Sequence, residues 1–260
     1  MSLQDTKKHE NVVGAGSPRP FGNVSTNCIK GEETSPLRKS TFRPKENRGV
    51  LSMFLDLHVH TNRYSACSVL LPLEMVETAK MLKLDGLVIT EHGILWDKEE
   101  IEDLKTRAKA GNLVVLRGQE IRTRCDDRLE GDVLVFGVEQ SLGDELSAQE
   151  LLEKVHSQGG VAIAAHPYRA FLGLRDNIYK LDLDGIEVFN GNTAPEEMQL
   201  ADNACKILQL PGTGGSDAHS SQSLGNYLTF FSAWIKSEAD LVSAIKQKQC
   251  RPAHFEEMRK

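Results

Sequence analysis

Five segments of this chain place a metal-ligating residue type at the end of an apolar run: His58-Val-His60, Glu91-His92, Glu120, His166 and Asp217-Ala-His219. Short apolar runs of this kind read as buried strands. In α/β barrels, function gathers at the C-terminal ends of strands. Imidazoles and carboxylates together make a donor set for Zn²⁺, Mn²⁺ or Fe²⁺. One such tip carries little weight, because a lone HxH or DxH is a short motif. Five in one chain argue for a single polar centre where strands converge, and so for a metalloenzyme.

Each tip has its own logic. Alternate strand residues share a face, so Asp56, His58 and His60 are expected on one side and Leu55, Leu57 and Val59 on the other. His92 ends the run Gly86-Leu-Val-Ile-Thr-Glu-His92, as a ligand or as a turn residue satisfied by backbone. Glu120 lies between an apolar run and Ile121, where an unpaired carboxylate is costly. It meets either a cation or one of Arg117, Arg122 and Arg124. His166 precedes Pro167, which stops the strand and leaves the imidazole at its tip, as a ligand or a core histidine. Asp217 and His219 again share a face, after the glycines Gly212, Gly214 and Gly215 that free the backbone. This donor set exceeds what one tetrahedral ion needs, so a cluster of two or three divalent ions is expected. Such clusters activate water to hydroxide near neutral pH and clamp phosphoryl oxygens.

The elements that must position these residues follow from the hydrophobic pattern. Strands are expected over 53–59, 86–91, 113–120, 132–138, 160–165, 185–190 and 211–216. Helices are expected over 72–84, 98–110, 147–158 and 195–209, with Pro72 opening the first. Gly86, Gly111, Gly159 and Gly160 fall where C-terminal caps want them. Alternating strand and helix predicts an α/β fold with a largely parallel sheet or barrel. Only residues 122–131 separate the third and fourth strands, short for a parallel crossover. A hairpin-like excursion is expected there, and with it a distorted barrel. A last strand over 227–235 and a helix over 238–249 finish the domain.

Among 260 residues, 37 acidic against 31 basic give a formal net charge of −6, a field that disfavours long nucleic acids. Cys28, Cys67, Cys125, Cys205 and Cys250 are scattered without a C-x-x-C pair, as expected of free thiols in the cytoplasm. No apolar run reaches the roughly 20 residues of a membrane helix, so no membrane role is expected. Residues 1–50 are rich in Ser, Thr, Asn, Lys, Pro and Gly and read as a disordered extension to a single domain over 51–260. His9 and Cys28 in that extension are expected to be idle.

The ordered series DLHVHT, ITEHG, GQE, AHPYR and GSDAH resembles the polymerase and histidinol phosphatase (PHP) family across residues 53 to about 250. The resemblance implies a distorted (β/α)7 barrel and metal-dependent hydrolysis of phosphate esters at a di- or trinuclear centre. It implies that His58, His60, Glu120 and Asp217 hold one metal. Glu120 would bridge to a second, also held by His166, and His92 and His219 would hold a third. Two positions depart from the family pattern. Where many relatives carry Asp or His after the HxH, this chain reads Tyr64-Ser65-Ala66-Cys67. Cys67 could ligate or be a small buried thiol. Where relatives often have His, this chain has Asp132. If 122–131 turns back, Asp132 begins its strand beside the end of the Glu120 strand and completes the second metal; otherwise it is a solvated turn aspartate.

Arg169, after His166-Pro-Tyr, carries a planar guanidinium suited to a substrate phosphate. Asp217 or His219 is expected to relay the proton. Asn190 ends the run GIEVFN, at the rim or in a turn; His156 is expected to be exposed, and His254 sits in a charged terminus with no role assigned. The reading is a phosphoesterase acting on a phosphorylated small molecule or a short nucleotide. Its rivals are an exonuclease-type phosphodiesterase on short oligonucleotides and a non-catalytic, metal-stabilised scaffold.

Overall fold

The computed structural model describes residues 52–260. The expected N-terminal extension, with His9 and Cys28, lies outside the described residues. The sheet contains nine strands in the order β7-β6-β5-β4-β3-β2-β1-β8-β9. In chain order the elements are β1 (Met53–Val59), α1 (Pro72–Leu82), β2 (Gly86–His92), α2 (Lys98–Arg107), β3 (Val114–Cys125) and β4 (Arg128–Phe136). There follow α3 (Ala148–Ser157), β5 (Val161–Ala164), a 3₁₀ turn (Arg175–Lys180), β6 (Gly185–Asn190), α4 (Pro195–Leu208) and β7 (Gly212–Gly215). The chain ends with β8 (Tyr227–Phe231), α5 (Glu238–Lys246), β9 (Cys250–His254) and α6 (Phe255–Met258).

Among β1 to β7, the pairing sets every C-terminal strand end but one at the same mouth. β1, β2 and β3 are mutually parallel, as are β5, β6 and β7. Between the two groups, β4 is antiparallel to both neighbours. Reversing one strand therefore brings the early part of β4 to the mouth where the other six end. The sheet nearly closes into a barrel where β7 returns to β1. Val59 bridges Ala218, and the His60 amide donates to the Ala218 carbonyl at 3.0 Å. Gly215 makes that approach possible: a Cβ there would lie 2.4 Å from His58 Cβ.

Side-chain alternation fills the barrel. Leu55, Leu57, Val88, Leu116, Leu134, Phe136 and Ile163 form one apolar cluster, below the mouth. Their sequence neighbours Val115, Val133, Val135 and Ala162 belong instead to the clusters packed with the helices. That is the period-2 pattern of strands buried on both faces. The helices begin as their sequences dictate. Pro72 and Pro195 open α1 and α4, and Ser147 with Glu150 makes a capping box at α3.

Several expectations are corrected. The helix expected over 72–84 is capped by Lys83 at φ 61°, and Gly86 instead begins β2. The third and fourth strands run past the site as a long hairpin, Cys125 facing Arg128, because they pair with each other well beyond their outer neighbours. Asp132 therefore lies inside β4 opposite Arg122, not at a strand start. The last strand stops at Phe231 and the helix at Lys246. β9 then pairs with β8, where the sequence suggested only a charged terminus. His254 on β9 is exposed, its ring tilted against Phe189 and Tyr227, whereas His156 bonds Asp184 at 2.9 Å rather than standing free. Cys67, Cys125, Cys205 and Cys250 are free thiols. No helix among the described residues is long and apolar enough to cross a membrane.

Candidate metal centre

The mouth of the barrel gathers the residues that the sequence scatters over 160 positions. Donor atoms of His58, His60 and Glu120 lie within 4.8 Å of one another, and so do those of Glu120, Asp132 and His166. The same holds for His58, His166 and Asp217, and for His60, His92 and His219. The groups share members, so they form one continuous cluster. Glu120 is its hub. Its Oε1 lies 2.9 Å from His166 Nε2 and 3.4 Å from His58 Nε2. Its Oε2 lies 3.2 Å from His60 Nε2 and 3.1 Å from His92 Nδ1. No arginine among the described residues pairs with it: Arg117 pairs with Glu139 and Glu238, and Arg122 with Asp132.

A second layer aims the imidazoles. Glu187 Oε1 accepts from His58 Nδ1 at 3.0 Å. Ser65 Oγ donates to Glu91 and so accepts from His60 Nδ1, at 3.3 Å. Both Nε2 atoms are thereby turned to the centre, where they stand 3.0 Å apart. Glu187 Oε2 also accepts the His166 amide at 2.8 Å and Asn190 Nδ2 at 3.0 Å. Asn190 is thus a buried bridge to Asp217, and its Oδ1 also holds the turn after β6, accepting from the Asn192 amide at 2.8 Å. This carboxylate–histidine arrangement is what metal sites use to fix ring orientation. Glu187 went unnoticed in the sequence reading, although the acid inside the apolar run GIEVFN repeats the signal that drew attention to Glu120.

Two tips store backbone strain. His166 has φ +28° and Asp217 has φ +50°, in the region that favours glycine. For His166 the conformation is doubly unusual, because Pro167 restricts the residue before it. Such strain costs about 1–3 kcal/mol per residue and persists where function over-determines it.

Other neighbours of the tips turn away. Asp56 does not share the site face with His58 and His60. The β1–β2 register slips between Asp56 and Val59. Asp56 accepts instead from the amides of Ser216 (2.8 Å), Gly225 (3.0 Å) and His58 (3.3 Å), tying β1 to the segments that follow β7. Burial lifts its carboxyl to about 6 against those amides. Glu91 accepts from Thr61, Ser65 and Trp96 and anchors the loop after β1. Cys67 is exposed rather than buried, 3.5 Å from His92 Nε2.

The electrostatics fit cations. Burial alone would neutralise Glu120, yet His58, His166 and His60 hold it well below the usual carboxylate range. Asp217 is likewise held low against burial, by His58 and His60. His60, despite its burial, is raised to about 9 by Asp217 and Glu120. His92 is lowered to about 4 by burial, with His60 adding to it against Glu120. Buried ionised carboxylates thus face stacked imidazoles. His166 Nδ1 is buried with no hydrogen-bond partner among the described residues, a capacity that native interiors rarely leave unused. Lone pairs and negative charge converge where divalent ions bind. The donors present therefore fit metal.

A cleft of about 360 Å³ opens over the cluster, lined by Tyr64, Cys67, Arg122, Arg169 and Leu172 with the cluster residues themselves. Arg169 Nη1 donates to Asp217 Oδ2 at 2.9 Å, so its guanidinium is held at the cleft wall. All nine residues predicted for the site, the eight metal-ligand candidates and Arg169, meet here.

Comparison with known proteins agrees with this arrangement. Residues 195–250 match the family model described as PHP-associated. An uncharacterised protein of Methanocaldococcus jannaschii is 36% identical over 149 residues, covering 53% of this chain and 82% of the relative. A Bacteroides vulgatus two-domain protein described as containing a predicted PHP-like metal-dependent phosphoesterase superposes with a TM-score of 0.60 at 20% identity, over 80% of this chain and 66% of that one. The chain belongs to the PHP domain family. The PHP barrel also superposes on the lesion-specific endonuclease of Pyrococcus furiosus, with a TM-score of 0.58 and 17% identity, over 78% of this chain and 58% of that one. The present PHP chain thus spans about two thirds of the Bacteroides protein and less of the endonuclease.

Proposed function

We propose that this chain is a hydrolase of phosphate esters that works with two or three divalent metal ions. The observation that carries the reading is the unbroken run of overlapping donor groups at one mouth, beneath a cleft with guanidinium groups in its wall. In this reading His58, His60, Glu120 and Asp217 hold one ion. Glu120, His166 and Asp132 hold a second. His92 and His219, with His60 beside them, hold a third. Zn²⁺, Mn²⁺ or Fe²⁺ bound there would activate water and neutralise the charge that develops on phosphoryl oxygens.

The chain's own residues supply the rest. Arg169, fixed by Asp217, presents its remaining N–H groups to a phosphate in the cleft. Asp217 or His219, both at the mouth, takes the proton from the attacking water. The apolar layer of Leu134 and Phe136 below the cluster keeps bulk water away from its lower side, which strengthens the electrostatic contacts. The volume of the cleft suits a small phosphomonoester or a nucleotide-like molecule. Free thiols fit a reducing compartment such as the cytoplasm.

The likeness to a lesion-specific endonuclease favours a second reading, a phosphodiesterase on short oligonucleotides. The net charge of −6 weighs against long polymers. The test is a screen of phosphomonoesters, phosphodiesters and short labelled oligonucleotides with added Mn²⁺, Zn²⁺ or Fe²⁺. Turnover abolished by a chelator and restored by metal is expected. Failure to turn over any phosphate ester with any of these ions would contradict the proposal. Cleavage confined to oligonucleotides, with steep salt dependence, would select the second reading.

A further inference from the structure

Asp132 reaches the centre in company. Arg122 stands opposite it across the β3–β4 ladder, on the same side of β3 as Glu120 two residues earlier. Its Nε donates to Asp132 Oδ1 at 3.0 Å and its Nη2 to Oδ2 at 3.2 Å. This is a side-on, two-point clamp, which fixes the plane of the carboxylate as well as its place. Asp132 is 1% exposed and the Arg122 side chain 32%, so the clamp runs from the cleft wall into the interior. Nη1 of Arg122 makes no hydrogen bond among the described residues, and Arg122 lines the cleft.

Charge explains why the pair is needed. Asp132 is placed with Glu120 and His166 as the third member of a buried donor group. Two carboxylates in one buried group repel each other, and an unclamped aspartate could rotate away to relieve this. A neutral imidazole in the same place would bring no such repulsion. We infer that Arg122 is a positioning residue, which holds the Asp132 carboxylate oriented toward the ion shared by Glu120 and His166. The inference rests on the proposed role of Asp132 as a donor to that ion.

The experiment is a metal titration of the full-length chain, stripped with a chelator and followed by equilibrium dialysis against Mn²⁺ and Zn²⁺. It compares wild type, Arg122→Gln, Arg122→Lys, Asp132→Ala and the double variant Arg122→Gln/Asp132→His. Partners that orient metal ligands typically contribute about 10–100-fold in affinity. Arg122→Gln should weaken one ion by about that factor and leave the others unchanged. Arg122→Lys keeps the charge without the fork and should recover only part of the loss. The double variant should recover most of it, because an imidazole donor needs no guanidinium partner. Arg122→Lys keeps the test open if Arg122→Gln does not fold. Wild-type titration curves for both Arg122 variants, with Asp132→Ala losing an ion, would overturn the inference and leave the proposed centre standing. An Asp132→Ala protein that binds every ion normally would overturn the donor role itself.

Discussion

Glu187 shows how much of the centre depends on residues that never face the cleft. Its two oxygens accept from three donors: His58 Nδ1, the His166 amide and Asn190 Nδ2. A glutamine in its place offers one acceptor oxygen and one NH₂, so at least one of those donors would face another donor. Glu187→Gln is therefore expected to weaken metal binding by about 10–100-fold while the fold persists. Metal titration with circular dichroism checks this; unchanged affinity would remove Glu187 from the account. Arg169→Ala removes a charge-assisted contact worth about 1.5–3 kcal/mol, so kcat/KM on a phosphomonoester should fall roughly 10–100-fold with metal content intact. Residues with a strong local signature, such as His58-Val-His60 and Asp217-Ala-His219, are legible in the sequence. Glu187, Ser65 and Asn190 are not, because their roles come from partners 129, 5 and 27 positions away. Asp56 misleads for a different reason: a slipped register between β1 and β2 breaks the alternation on which the reading of its face depends.

At the scale of elements, the seam between β1 and β7 deserves a direct test. Gly215 lies so close to β1 that an added Cβ would meet His58 Cβ at 2.4 Å and His58 N at 2.8 Å. Backbone cannot yield there as a flexible side chain would. Gly215→Ala is expected to cost about 1–3 kcal/mol or more and to displace His58. Gly111→Ala meets nothing within 4 Å and should melt like wild type, so the pair of variants separates crowding from the loss of glycine as such. Thermal melts decide it; equal melting temperatures would contradict the close seam. Strand and helix positions before the last segment are legible from apolar periodicity, and so is the β3–β4 hairpin, from the shortness of its connection. The length of that hairpin is not, since Arg122, Arg124 and Arg128 carry no strand pattern and join strands only through their cross-strand partners. β9 escapes notice for the same reason: Cys250-Arg-Pro-Ala-His254 is a polar edge strand defined by its partner β8.

Taken whole, the molecule places an apolar plug under a buried polar mouth, and the two halves pull stability in opposite directions. The plug contributes through burial. The mouth buries three imidazoles, those of His58, His60 and His166, among three carboxylates, which costs free energy unless cations compensate. Bound metal should therefore stabilise the fold. An ion at 100 times its Kd adds about 2.7 kcal/mol. For a domain of this size, chelation is expected to lower Tm by about 5–10 °C. A melt unmoved by chelator and by added ions would contradict a metal-compensated mouth. The barrel class is legible in the sequence because five strand ends carry their chemistry in chain order. Closure of the barrel is not, since it depends on β1 meeting the end of β7 through Val59 and Ala218, which lie far apart in the sequence. The most direct test of the central claim is diffraction from metal-loaded crystals at the Mn, Fe and Zn absorption edges. Anomalous peaks are expected between His58, His60, Glu120 and Asp217, and between Glu120, Asp132 and His166. A loaded protein with no peak at either position, and with these side chains still paired to one another, would contradict the account.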